Sequence, residues 1–149
     1  TKAEAHDKGE ALLQARLAGD MFPLATQLRY LANMPGETLA RMTGQAFASS
    51  DIDPASFAEA RERIAAARTM VTEADPKAWL AAGDMMEFTL PNGMTFAMQA
   101  HEYCRDWAIP QVYFHVMAAY AILRAEGLAV GKADYVGYMM KYLKQPAAG

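Results

Sequence analysis

At 149 residues, 53% hydrophobic and 21% charged, the chain is the size of one domain and long enough to bury its own core. A net charge of −3, with the basic residues scattered among acids, excludes a phosphate-backbone footprint, so nucleic acid is not an expected partner. No run approaches the roughly 18 apolar residues of a membrane span, and no signal-peptide pattern opens the chain. The one cysteine, Cys104, rules out an internal disulfide and fits a reducing cytoplasm. Eleven methionines are expected as adaptable core filler.

The opening stretch TKAEAHDKGEALLQARLAG has a helical pattern and resembles the tail of a longer element. Asp20 then offers an N-cap, and Pro23 falls in a first turn, where its missing N–H costs nothing. Leu24, Leu28 and Leu31 follow at helical spacing, and Leu39 and Met42 resume the pattern beyond Pro35-Gly36. One long helix kinked at Pro35 is expected, with a break into two helices as the alternative. Residues 45–53 form a linker. Asp53-Pro54 is expected to cap the next helix, which runs to about Glu73 with a stripe of Phe57, Ala60, Ile64, Ala67 and Val71. Asp75-Pro76 ends it.

From Met85 the period changes to two. Met86, Phe88 and Leu90 alternate with Met85, Glu87 and Thr89, and beyond Pro91-Asn92-Gly93 Met94, Phe96 and Met98 alternate with Thr95 and Ala97. A two-residue loop would set Phe88 opposite Ala97. A three-residue loop sets Phe88 opposite Phe96 and gathers the large apolar groups on one face, with Gly93 left-handed. The three-residue loop is expected.

Residues 99–107 read as a short helix, and Pro110 starts a new one that Gly127 stops. From Val112 to Leu123 every residue of this second helix is apolar or aromatic except His115, which predicts burial on nearly all sides. It also predicts a neutral core histidine hydrogen-bonded to a protein group. Tyr113 and Tyr120 point away from His115 and are expected in the core. A short helix over about 133–143 closes the chain. The whole is an all-α fold, four main helices with a small β-hairpin inserted before the last long one, in a single domain over 1–149.

The blocks ARLAGDMFPLATQL (15–28) and VYFHVMAAYAILRAEGLAVGKADYVG (112–137) resemble the two signature blocks of the DUF1993 family, proteins of unknown function. That family's pattern has a further helix of roughly twenty residues ahead of Thr1, a typical bundle-helix length. The family is similar in fold to the DinB/YfiT-like superfamily of four-helix bundles. The resemblance implies a homodimer, and in many relatives a divalent metal held by three histidines, in some for thiol-dependent transfer. The superfamily's ligands are one histidine on the second helix and a His-x3-His pair on the last long helix. Carried onto this chain, the pattern meets His115, but Ala119 stands at the i+4 position and Gln27 on the second helix. His115 is therefore the one candidate ligand of an incomplete set.

Within the two blocks that carry the resemblance, His115, Gln27, Asp20 and Arg16 are the candidate pocket residues. Gln27 lies near the Leu24/Leu31 face and is the expected partner of His115. Arg16 precedes Asp20 by four residues and is placed to pair with it. His101 and Cys104, three apart, form a weaker pair. No G-x-S-x-G, G-x-G-x-x-G, P-loop, H-E-x-x-H or C-x-x-C motif occurs. Three function classes follow: a bundle that binds a small apolar ligand without catalysis, a degenerate metal-dependent transferase retaining His115, and a purely structural dimerisation domain, which would show no pocket beside His115.

Overall fold

In the computed structural model, residues 2–144 are described. Three helices carry the fold. The first, α1 (Leu24–Thr43), runs unbroken through Pro35 and stops at Gly44, whose φ of 71° is left-handed. Its start differs from expectation. Asp20 does not cap it; Pro23 occupies the N-cap position, extended at ψ 166°, with no side-chain cap. The N–H of Leu24 is instead taken by the carbonyl of Ala15 at 2.9 Å, so the preceding chain satisfies a group that a cap would otherwise serve.

Helix α2 (Phe57–Glu73) is capped by Ser56 rather than by Asp53. The Ser56 hydroxyl accepts from the N–H of Glu59 at 3.1 Å, and the Glu59 carboxylate accepts from the N–H of Ala55 at 2.8 Å. That frees Asp53 to clamp the linker to α1, accepting from Thr26 at 2.6 Å and from Arg29 at 2.7 Å. The α2 stripe buries Phe57, Ala60 and Ala67 but leaves Val71 exposed.

The hairpin pairs β1 (Met85–Thr89) with β2 (Thr95–Gln99), Phe88 opposite Phe96 and Met86 opposite Met98. Leu90 donates its N–H to the carbonyl of Met94 at 2.8 Å, and Gly93 has φ 86°. The three-residue loop is therefore present, and Met86 and Phe88 turn inward as the apolar sorting required.

Beyond β2 the chain is one continuous helix, α3 (100–125), where two were expected. Pro110 does not break it. The stretch Tyr103–Ala108 is π-helical, and Ile109 donates to the carbonyl of Cys104, five residues back. The wider turn is the local adjustment that lets a helix continue past a residue with no N–H and a bulky ring. Gly127, at φ 90°, ends α3; Gly127 bonds back to Arg124, and the N–H of buried Leu128 reaches the carbonyl of Leu123 at 3.0 Å.

Helix α1 packs against both α2 and α3. Apolar clusters hold the two ends of the α1/α3 pair. One joins Leu24 and Ala25 to Ala119, Ile122 and Leu128, and the other joins Met42 to Tyr103, Ala108 and the hairpin's Phe88. The expected helical bundle with a hairpin before its last long helix is thus present, with three long helices among the described residues instead of four. The opening segment is turns and a 3-10 stretch (Gly9–Gln14), with Gly9 left-handed at φ 47°. The expected helix over 133–143 is a single turn, Lys132–Tyr135, followed by a 3-10 stretch from Gly137.

The apolar α3 is not buried all round. Ile109, Tyr113, Phe114 and Met117 are each 45–58% exposed, so Tyr113 is a surface residue and not a core one. The methionines are likewise mostly outside the core: Met42 and Met86 are buried, while Met70, Met85, Met94, Met117, Met139 and Met140 are exposed.

Candidate functional site

Between the two apolar clusters, α1 and α3 part to form a cleft of about 930 Å³. From α1 the residues facing it are Gln27, Tyr30, Met34, Glu37, Thr38 and Arg41, at the three-and-four spacing of one helix face. From α3 come Tyr103, Trp107, Gln111, Phe114 and His115. Its rim is the 20–22 loop, the linker at Phe47 and Ser49, and the hairpin turn at 89–91.

His115 and Gln27 meet across it. His115 is 6% exposed and Gln27 1%, and Nδ1 of the imidazole lies 2.7 Å from Oε1 of the amide. The amide Nε2 donates to the carbonyl of Phe22 at 3.3 Å, which turns Oε1 toward the histidine. Oε1 can only accept, so Nδ1 carries the proton. The other ring nitrogen, Nε2, makes no hydrogen bond among the described residues; in this tautomer its lone pair is unused, and the ring lines the cleft. Tyr30 stacks on the imidazole at 4.6 Å between centroids, and Phe114 meets it edge-on at 5.3 Å. Burial pushes the His115 pKa below its ordinary 6.5, which keeps the ring neutral near pH 7. An oriented neutral imidazole with an open acceptor can take a hydrogen bond from a ligand or receive a proton from one.

The other expected pocket residues divide. Asp20 stands at the cleft rim, exposed, its carboxylate making no hydrogen bond among the described residues. Arg16 is exposed and outside the cleft; it bonds the carbonyl of Gly19 at 3.5 Å and forms no pair with Asp20. The reason is that residues 17–21 are bends and a turn, so a spacing of four does not bring the two side chains together as it would on a helix. His101 and Cys104 do not meet: His101 bonds the carbonyl of Ala82 at 2.8 Å, while Cys104 faces the sulfur of Met42 at 3.8 Å. Burial raises the thiol's pKa.

Arg41, Tyr30, Trp107 and Phe47 were not singled out from the sequence. Tyr30, Met34 and Arg41 do lie on the same helix stripe as Gln27, and that spacing was the available signal. Phe47 packs so closely on α1 that a Cβ on Gly36 would lie 2.2 Å from its ring, so glycine is required there.

The residues present do not fit a three-histidine metal site. Ala119 is buried in the core at the second ligand position, and Gln27 already holds Nδ1–H of His115. Among the described residues no three His, Cys, Asp or Glu side chains converge.

The profile of the DUF1993 family, a domain of unknown function, matches residues 1–136. The chain belongs to the DUF1993 family. This DUF1993 chain also matches the crystal structure of a DinB family member protein from Shewanella denitrificans, with a TM-score of 0.76 and 33% identity. The match covers 92% of this chain and 76% of that one. No match was found among the curated proteins. Among the described residues, no helix of the DUF1993 chain is long and apolar enough to cross a membrane.

Proposed function

We propose that this DUF1993 protein binds a small organic molecule in the α1/α3 cleft, with His115 as the residue that recognises it. The observation that carries this reading is the free Nε2 of a buried, neutral, Gln27-oriented imidazole on the wall of a 930 Å³ cleft. The walls combine aromatic and apolar side chains with several polar and charged ones, so the cleft offers both packing surface and groups that can orient a ligand. A purely structural bundle would have no reason to leave such a cleft beside a buried acceptor. The single free cysteine suits a cytoplasmic setting.

Fragment screening by NMR tests the proposal, following the ring resonances of His115 and Tyr30. Flat apolar compounds carrying one hydrogen-bond donor should shift both rings saturably, and His115→Phe should abolish the donor preference. Binding that moves neither ring would overturn the reading.

We also propose a homodimer. Ile109, Tyr113 and Met117 form an exposed apolar stripe on α3, continuous with a second apolar cleft of about 380 Å³ against Pro35 and Leu39 of α1. Sedimentation should give twice the chain mass, and Tyr113→Glu should halve it. A wild-type monomer at high concentration would contradict the dimer.

A further inference from the structure

Arg41 is unlike the other arginines of this chain. Three arginines are half-buried: Arg29, Arg41 and Arg63. Arg29 is paired with Asp53 and Arg63 with Glu59, but Arg41 has no carboxylate partner among the described residues. It is held instead by neutral groups. Its Nη1 donates to the Tyr103 hydroxyl at 2.9 Å, and its guanidinium lies over the Phe88 ring, 4.8 Å from the centroid. A guanidinium has five N–H donors, so most of its capacity is unspent. With no carboxylate bonded to it and a fixed position on the cleft wall, its remaining N–H groups are available to an anion that enters the cleft.

We propose that Arg41 is the anion-binding residue of the cleft, and that the ligand is an elongated monocarboxylate with a flat apolar body. This rests on the reading of the cleft as a small-molecule site. The planar fork of the guanidinium matches a carboxylate. Glu37 and Asp20 also face the cleft, so a dianion would be repelled where a single negative charge is tolerated. The length follows from α1: Gln27 and Arg41 stand about four turns, or roughly 20 Å, apart along the helix. A ligand spanning them sets its carboxylate on Arg41 and its body across Met34, Trp107 and Phe114. An N–H or O–H at its far end then meets Nε2 of His115.

The test uses 11-(dansylamino)undecanoic acid, a fluorescent acid of suitable length, beside its uncharged methyl ester. Wild-type protein should bind the acid about tenfold or more tighter than the ester, the scale of one charge-assisted contact. Arg41→Gln should erase that preference, bringing the affinity for the acid down to that for the ester. Arg41→Lys, which keeps the charge but not the fork, should reduce the preference and serves in its place if the glutamine variant does not fold. Equal binding of acid and ester by the wild type, or a full preference surviving either substitution, would overturn the proposal. If the ester binds and shifts the His115 ring but the acid gains nothing, the role of Arg41 fails and the cleft reading stands. If neither compound binds and no fragment moves His115, both fail.

Discussion

The imidazole of His115 and the amide of Gln27, 88 positions apart in the chain, share one buried hydrogen bond of 2.7 Å that joins α3 to α1. Both side chains are almost fully removed from water, so deleting one strands the other. Gln27→Leu should destabilise the protein by about 1–3 kcal/mol in urea unfolding, the cost of an unsatisfied buried group. His115→Ala should fall in the same range. A loss below about 0.5 kcal/mol, typical of surface substitutions, would show that the bond is not what holds the pair.

The same burial sets a pH dependence. The folded state lowers the His115 pKa below 6.5, so between that lowered value and 6.5 the unfolded chain binds the proton and the folded one does not. The contribution of neutral His115 is therefore fully present above pH 6.5 and is lost as pH falls through 6.5 toward the folded pKa. Unfolding free energy should decline on acidification across that window, and His115→Gln should flatten the decline. An NMR titration placing the His115 pKa at or above 6.5 would remove the basis for this.

Gly36→Ala should run against helix propensity. Alanine in a helix interior normally gains about 1 kcal/mol over glycine. Here its Cβ would lie 2.2 Å from the Phe47 ring, which must then leave its seat on α1 and the cleft wall. We expect Gly36→Ala to destabilise the wild type but to stabilise the Phe47→Ala variant. A thermal double-mutant cycle with no coupling between the two positions would contradict the contact.

Gly93 tests the hairpin. A Cβ there would meet nothing within 4 Å, so any cost of substitution is a backbone cost of holding φ at 86°. Gly93→Val should destabilise by about 1–2 kcal/mol, or slightly more for the β-branch, and Gly93→Asn by less. Equal stability of all three by calorimetry would mean that the turn relaxes to another form.

Local signals in the sequence carried the hairpin register, the left-handed Gly93, the stop at Gly127 and the end of α2 at Glu73. Each depends on a residue's own backbone preference or on a strict two-residue alternation. The His115–Gln27 pair was legible because an isolated polar residue in an apolar run requires a partner, and Gln27 lies near the Leu24/Leu31 face, in the family's other signature block, on a helix expected to face that of His115. Asp20 does not cap α1 because a capping residue type does not by itself fix where a helix begins, and Arg16 does not pair with it because the intervening residues are not helical. The carbonyl of Ala15, brought up by the turn before α1, had already taken the N–H that a cap would serve.

Composition and periodicity by themselves determined a helical domain with one hairpin and a buried histidine; the resemblance to the family added its amide partner. Tertiary structure alone decided that α3 passes Pro110 unbroken, that one of its apolar faces lies open, and that Arg41 joins His115 along one cleft. These depend on how the two helices are set against each other. An apolar run records that a helix has faces to bury, but not which face a neighbour covers. An arginine on a helix records a charge, but not whether a carboxylate will stand beside it once the chain has folded.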